Sequence, residues 1–128
     1  MITFDSIEPT IQCSYLLRSV EFYQLLSFKL HSPLEPEHQA AWLSAGIIWG
    51  NHSPVSTGIT IILNEVYKKI SPQQFRIRVS NLEEFYTSCN LSKIPSISPI
   101  VHWPHDYSCF EAIDPDGHKI TFFRSGMQ

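Results

Sequence analysis

Apolar and polar positions change their period several times along this chain, and each change marks an element. Thr10 to Cys13 alternates polar and apolar, and Ser14 to Phe28 then carries Leu16, Leu17, Val20, Tyr23 and Leu26 at helical spacing, so a strand is predicted to feed a helix. Phe28 to Leu30, Ala40 to Leu43, Ile47 to Trp49 and Ile59 to Leu63 are short β-prone runs divided by Pro, Gly, Ser and Asn, the punctuation of a small antiparallel sheet. Phe75 to Val79 alternates strictly, and Leu82 to Leu91 returns to helical spacing. Three more strands are expected at Ile97 to Trp103, Tyr107 to Ile113 and Lys119 to Phe123. The last is entered through Asp114-Pro115-Asp116-Gly117, whose residues suit a tight hairpin.

The predicted order is β-α-β-β-β twice, and the halves also match in residue detail. Glu21-Phe22-Tyr23 returns as Glu84-Phe85-Tyr86 at an offset of 63. The strand before each helix matches at 66 (Ile11 with Ile77, Cys13 with Val79), and Ile59-Thr60-Ile61 is similar to Ile120-Thr121-Phe122 at 61. Three matches in one order with nearly equal offsets point to a duplicated module, one of about residues 1–70 and one of about 71–128, within a single domain of 128 residues.

Val20-Glu21-Phe22-Tyr23-Gln24-Leu25-Leu26-Ser27-Phe28 resembles the first helix of the glyoxalase/bleomycin-resistance (vicinal oxygen chelate) superfamily, in which Phe-Tyr is followed by Leu-Gly-Phe; Ser27 stands where that Gly would be. Phe110 to Ile120 is similar to the family's terminal Asp-Pro-Asp-Gly hairpin, and Phe75 to Tyr86 to the start of its second module. The resemblance implies an α+β fold of two βαβββ modules whose mostly antiparallel sheets form a cup with the ligand inside. Between Glu35 and Gln73 two registers compete for the first module's fourth strand, Ile47 to His52 or Ile59 to Leu63.

Period two sorts the strand residues between the two faces of each sheet. If Ile11 and Cys13 face the first helix, Glu8, Thr10 and Gln12 face the cup; if Phe75, Ile77 and Val79 face the second, Gln74, Arg76 and Arg78 do. Lys119, Thr121 and Phe123 follow on the last strand. The alternative is that these polar residues simply face water, as antiparallel sheets allow. Trp42, Trp49, Trp103 and Tyr107 lie in or near the same strands and are candidates for stacking on a flat ligand, with core packing as the other reading.

In metal-using members of the superfamily, His, Glu or Gln occupy one position in the first and fourth strand of each module. Those positions fall on Glu8, Gln74 and Thr121, the fourth being Thr60 or a residue near Trp49. One carboxylate and one amide without imidazole make a poor transition-metal site, so no metal and no other cofactor is expected. The six histidines, among them His31, His38, His52, His102, His105 and His118, form no pair at ligand spacing on a recognisable strand or helix.

Composition narrows the partners. The net charge of −3 comes with no basic cluster, which argues against nucleic acid and anionic membranes. Apolar runs fall far short of the ~20 residues of a membrane helix, Asp5 and Glu8 replace a signal segment, and Cys13, Cys89 and Cys109 form no CxxC; a cytoplasmic location is expected. The reading is a metal-free small-molecule binding protein, drug- or metabolite-sequestering, acting as a homodimer on an aromatic or anionic ligand. A metal-dependent lyase, isomerase or dioxygenase of the same fold is the alternative, and a protein-protein module the third class.

Overall fold

Alternation in Thr10–Cys13 becomes strand β1, with Ile11 and Cys13 buried and Thr10 turned outward. The computed structural model describes residues 1–4, 6–46, 48–49, 54–56 and 58–126, of which 48–49 and 54–56 are described in backbone only. The chain divides into two compact units, Met1–Ile70 and Ser71–Gln128.

In the first unit β1 leads into α1 (Leu16–Leu25), then β2 (Lys29–Leu30), β3 (Ala40–Ala45), β4 (Ile48–Trp49), β5 (Pro54–Ser56) and β6 (Ile59–Glu65). The main sheet runs β1-β6-β3-β2, with β1 parallel to β6 and the other pairs antiparallel. This decides the competing registers: the fourth strand is β6. β4 pairs only with β5, in a separate two-stranded sheet that the βαβββ reading did not include. Ile47 and His52, the two ends of the rejected run, lie outside the described residues.

The second unit repeats the plan without that inserted hairpin: β7 (Gln74–Arg78), α2 (Leu82–Leu91), β8 (Val101–Trp103), β9 (Tyr107–Ile113) and β10 (Lys119–Ser125), in the order β7-β10-β9-β8 with β7 parallel to β10. Ladder and burial together correct one repeat offset. Thr10 pairs with Ile62 as Arg76 pairs with Thr121, and buried Ile61 and Leu63 match buried Ile120 and Phe122, so the fourth strands correspond at 59 rather than 61. Because the slip is two residues, every side chain keeps the face expected of it.

The first Phe-Tyr pair is core and the second packs half-buried on its sheet. Tyr23 meets Phe22 and Phe28 edge-on at 5.3 and 5.8 Å, and Phe85 and Tyr86 reach Phe110 at 5.8 and 5.0 Å. Both helices end alike, short of Phe28 in the first case. Ser27 N–H donates to Gln24 and Phe28 N–H to Tyr23, while Lys93 and Ile94 donate to Asn90 and Cys89. This paired closure requires a left-handed residue, and Ser27 (φ 73°) and Lys93 (φ 55°) adopt that conformation without being glycine.

The terminal hairpin is built on Asp114. Its Oδ1 accepts from the N–H groups of Asp116 and His118, both at 2.9 Å, while Gly117 supplies φ 89°. Buried His118 then takes Gln73 N–H on Nδ1 at 3.0 Å, fixing the entry to β7 against the hairpin.

Candidate functional site

The second sheet buries one face under α2, with Phe110, Ala112, Ile120 and Phe122 turned to the helix side. Period two puts Gln74, Arg76, Arg78, Trp103, Tyr107, Thr121 and Phe123 on the other face, and the ladder sets Arg76 beside Thr121 and Arg78 beside Phe123. Six of the predicted site residues are thereby brought onto one surface.

Two guanidinium groups on one strand face repel each other, and an aromatic ring lies against both. Arg76 Cζ is 4.5 Å and Arg78 Cζ 5.4 Å from the Phe123 ring centroid, each within cation–π range. Arg76 also donates to the Tyr107 hydroxyl at 2.8 Å, and Tyr107 stacks on Phe123 with centroids 6.0 Å apart. Lys119 meets Glu111 at 3.5 Å, so that carboxylate is engaged. The described ion pairs of this unit leave Arg76 and Arg78 on rings and a phenol rather than on a carboxylate. Trp103 is 56% exposed at the edge strand, and Cys109 shares the face. Phe123 was placed on the inward face by sequence but not singled out; its position opposite Arg78 was the available signal.

Next to Phe123 on β10 but on the opposite, α2 side of the sheet, Arg124 binds Glu83 through Nε and Nη2 at 3.2 and 2.7 Å and Asp106 at 3.2 Å. The Arg124 hydrogen bond holds the Glu83 carboxyl below its ordinary range. These residues fasten α2 to β10 and do not reach the arginine face.

In the first unit Thr10 is exposed and Gln12 half-buried on β1, Glu8 is exposed ahead of that strand, and Trp42 is 45% exposed on β3, on the face turned from α1. The side chain of Trp49 lies outside the described residues. Ser44, Thr60 and His31 were missed as a group. Ser44 Oγ lies 2.6 Å from both His31 Nε2 and Thr60 Oγ1, and only the β2–β3 and β3–β6 registers reveal the contact.

The family resemblance implies ligand positions at Glu8, Gln74, Thr121 and either Thr60 or a residue near Trp49. In the second unit Thr121 lies beside Arg76 in register. With the fourth strands matched at 59, Thr121 corresponds to Ile62 rather than to Thr60, whose hydroxyl contacts Ser44. Among the described residues no three of His, Cys, Asp and Glu gather as a ligand set. Burial pushes the Cys89 thiol up to about 11, which disfavours the thiolate.

No protein-family model and no curated protein matches this sequence. Solved structures do. The bleomycin resistance determinant encoded on the transposon Tn5 superposes with a TM-score of 0.70 at 17% identity, covering 97% of this chain and 100% of that one. A bleomycin-binding protein complexed with bleomycin gives 0.67 at 16%, covering 95% and 99%. A lactoylglutathione lyase from Agrobacterium tumefaciens gives 0.66 at 13%, covering 93% and 92%. Two helices on two four-stranded mixed sheets, in the strand order described, make this the α+β glyoxalase/bleomycin-resistance fold.

Proposed function

We propose that the protein is a metal-free binding protein for a small aromatic anion, acting by sequestration and working as a homodimer. The observation that carries the reading is the pair Arg76 and Arg78 astride Phe123. A chain of net charge −3 places two cations on one strand face and sets them against rings, so their charge remains available to a ligand. Tyr107 and Trp103 add aromatic surface and a hydroxyl beside them, and Gln74 and Thr121 supply neutral hydrogen-bonding groups on the same face. The bleomycin-bound structure of the same fold supports small-molecule binding as the role.

Calorimetric titration with naphthoate, a flat carboxylate, tests this. Saturable binding is expected, weakened about tenfold or more in Arg76→Ala and Arg78→Ala, since a charge-assisted bond is worth ~1.5–3 kcal/mol. Melting temperature should hold, because both side chains are exposed. Variants that bind naphthoate as wild type does would remove the arginines from the site. Stoichiometric zinc, nickel, manganese or iron in protein purified without chelators, with an activity lost in Glu8→Ala, would replace sequestration by metal-dependent catalysis.

A further inference from the structure

On the first sheet's face turned from α1, side chains from three adjoining positions form one hydrogen-bonded line. His31 follows β2 and is held to β3 by its N–H on the Trp42 carbonyl at 2.9 Å. Its Nε2 lies 2.6 Å from Ser44 Oγ, which lies 2.6 Å from Thr60 Oγ1. Ser44, in the middle of this line, is buried while His31 is exposed. Of these three residues His31 lines a cavity of about 220 Å3, walled also by Leu30, Leu34, His38, Ala40 and Trp42.

The line has two arrangements, because each contact carries one hydrogen and hydroxyls turn freely. In one, Thr60 donates to Ser44 and Ser44 to Nε2, leaving the imidazole proton on Nδ1. In the other, Nε2–H donates to Ser44 and Ser44 to Thr60, leaving Nδ1 bare as an acceptor. A proton arriving at Nδ1 then makes an imidazolium whose Nε2–H already has its partner, and that bond strengthens with the charge. The described partner of His31 is a hydroxyl, so the ring is not committed to an internal carboxylate and a ligand anion can supply the counter-charge. His38 accepts Glu35 N–H on Nδ1 at 3.1 Å, which puts its own proton on Nε2 as a donor. Lys29, opposite Ser44 in the β2–β3 register, adds a cation to the same face.

The volume is below the ~300–1,000 Å3 of pockets for drug-sized ligands, so the occupant is small. Apolar walls and the exposed indole of Trp42 suit a ring. We propose that this cavity is a binding site for a one-ring weak acid about as acidic as imidazolium, such as a phenol carrying an electron-withdrawing group, held as the phenolate with His31 Nδ1 taking the proton. The ligand O–H bond breaks, the N–H bond forms, and no other bond changes. The site does not rest on the arginine face of the second unit.

para-Nitrophenol tests it in the intact protein, at a pH where the free phenol is largely protonated. Expected are saturable growth of the yellow phenolate band at one equivalent and a shift of the Trp42 indole N–H resonance. His31→Gln should weaken binding about tenfold or more, and Thr60→Val several-fold through the relay alone. Should His31→Gln fail to fold, Thr60→Val with the Trp42 resonance carries the decision. No phenolate band at saturating protein, or a band lost in Arg76→Ala and kept in His31→Gln, overturns the proposal; the first result leaves naphthoate binding untouched, so the two readings fail separately.

Discussion

Ser27 and Lys93 are the two helix-closing residues whose side chains oppose their own backbone; His105 and Asp106, in the turn between β8 and β9, also have positive φ. Ser27 and Lys93 each sit in the left-handed region at the end of a helix, where the closing hydrogen bonds to Gln24 and Tyr23, or to Asn90 and Cys89, demand that conformation. An L side chain there costs roughly 1–2 kcal/mol that glycine avoids. Both are exposed, so nothing packed is lost on substitution. Ser27→Gly and Lys93→Gly should therefore each stabilise the protein by about 1 kcal/mol, read as a raised urea midpoint with an unchanged slope. The family's Leu-Gly-Phe pattern places its glycine where Ser27 stands, and that departure in sequence was the visible trace of the strain. Lys93 left no such trace, because nothing in a lone lysine announces a positive φ. The same limit governs the site residues. Arg76 and Arg78 were legible from alternation alone, whereas the contact of Ser44 with His31 and Thr60 depends on how three strands slide past one another, which no single-strand period encodes.

At the scale of elements, each unit ties the end of its fourth strand to the start of its helix, by opposite chemistry. α1 has no acidic residue in its first turn and no side-chain cap from Tyr15, and Glu65 at the end of β6 accepts the orphan Leu16 N–H at 2.8 Å. α2 carries Glu83 in its first turn, and Arg124 of β10 grips it instead. With the fourth strands matched at 59, Glu65 and Arg124 are equivalent positions. Sequence alone set the carboxylate and the guanidinium in unrelated contexts, since the correct offset emerges only from the ladders. The Leu16 N–H, and after it the Tyr67 hydroxyl at 2.8 Å, hold the Glu65 carboxyl below its ordinary value of 4.5. A folded-state pKa below the unfolded one means stability that is full above about 4.5 and is lost as pH falls through the folded value. Glu65→Ala should cost about 1 kcal/mol at neutral pH, the usual loss for a helix cap. Glu65→Gln should flatten the acid limb of a plot of unfolding free energy against pH; an acid limb as steep as that of wild type would mean the carboxylate contributes nothing there.

Among the described residues, apolar side chains ahead of β1 are left exposed. Ile2, Phe4 and Ile7, ahead of β1, are 84%, 96% and 87% exposed, an exposure of three large side chains within six residues that isolated surface residues do not explain. Edge strands add to it: β1 and β2 bound one sheet and β7 and β8 the other, with Val101 and Trp103 exposed along β8. Open edges and uncovered apolar residues are both relieved by pairing with another surface, and a second copy of the chain offers the same unmet demand, which is the condition for an isologous contact. A homodimer is accordingly expected in light scattering at tens of micromolar, against the 14.7 kDa of a single chain. Replacing Phe4 and Ile7 together with Ser should move the equilibrium towards monomer, as the two side chains would each contribute ~1.5–3 kcal/mol of burial if covered. If the wild type runs as a monomer at that concentration, the uncovered residues belong to no interface between copies. Should the variant dimerise as tightly as wild type, the interface lies along the sheet edges, and Val101→Lys becomes the substitution that separates the chains.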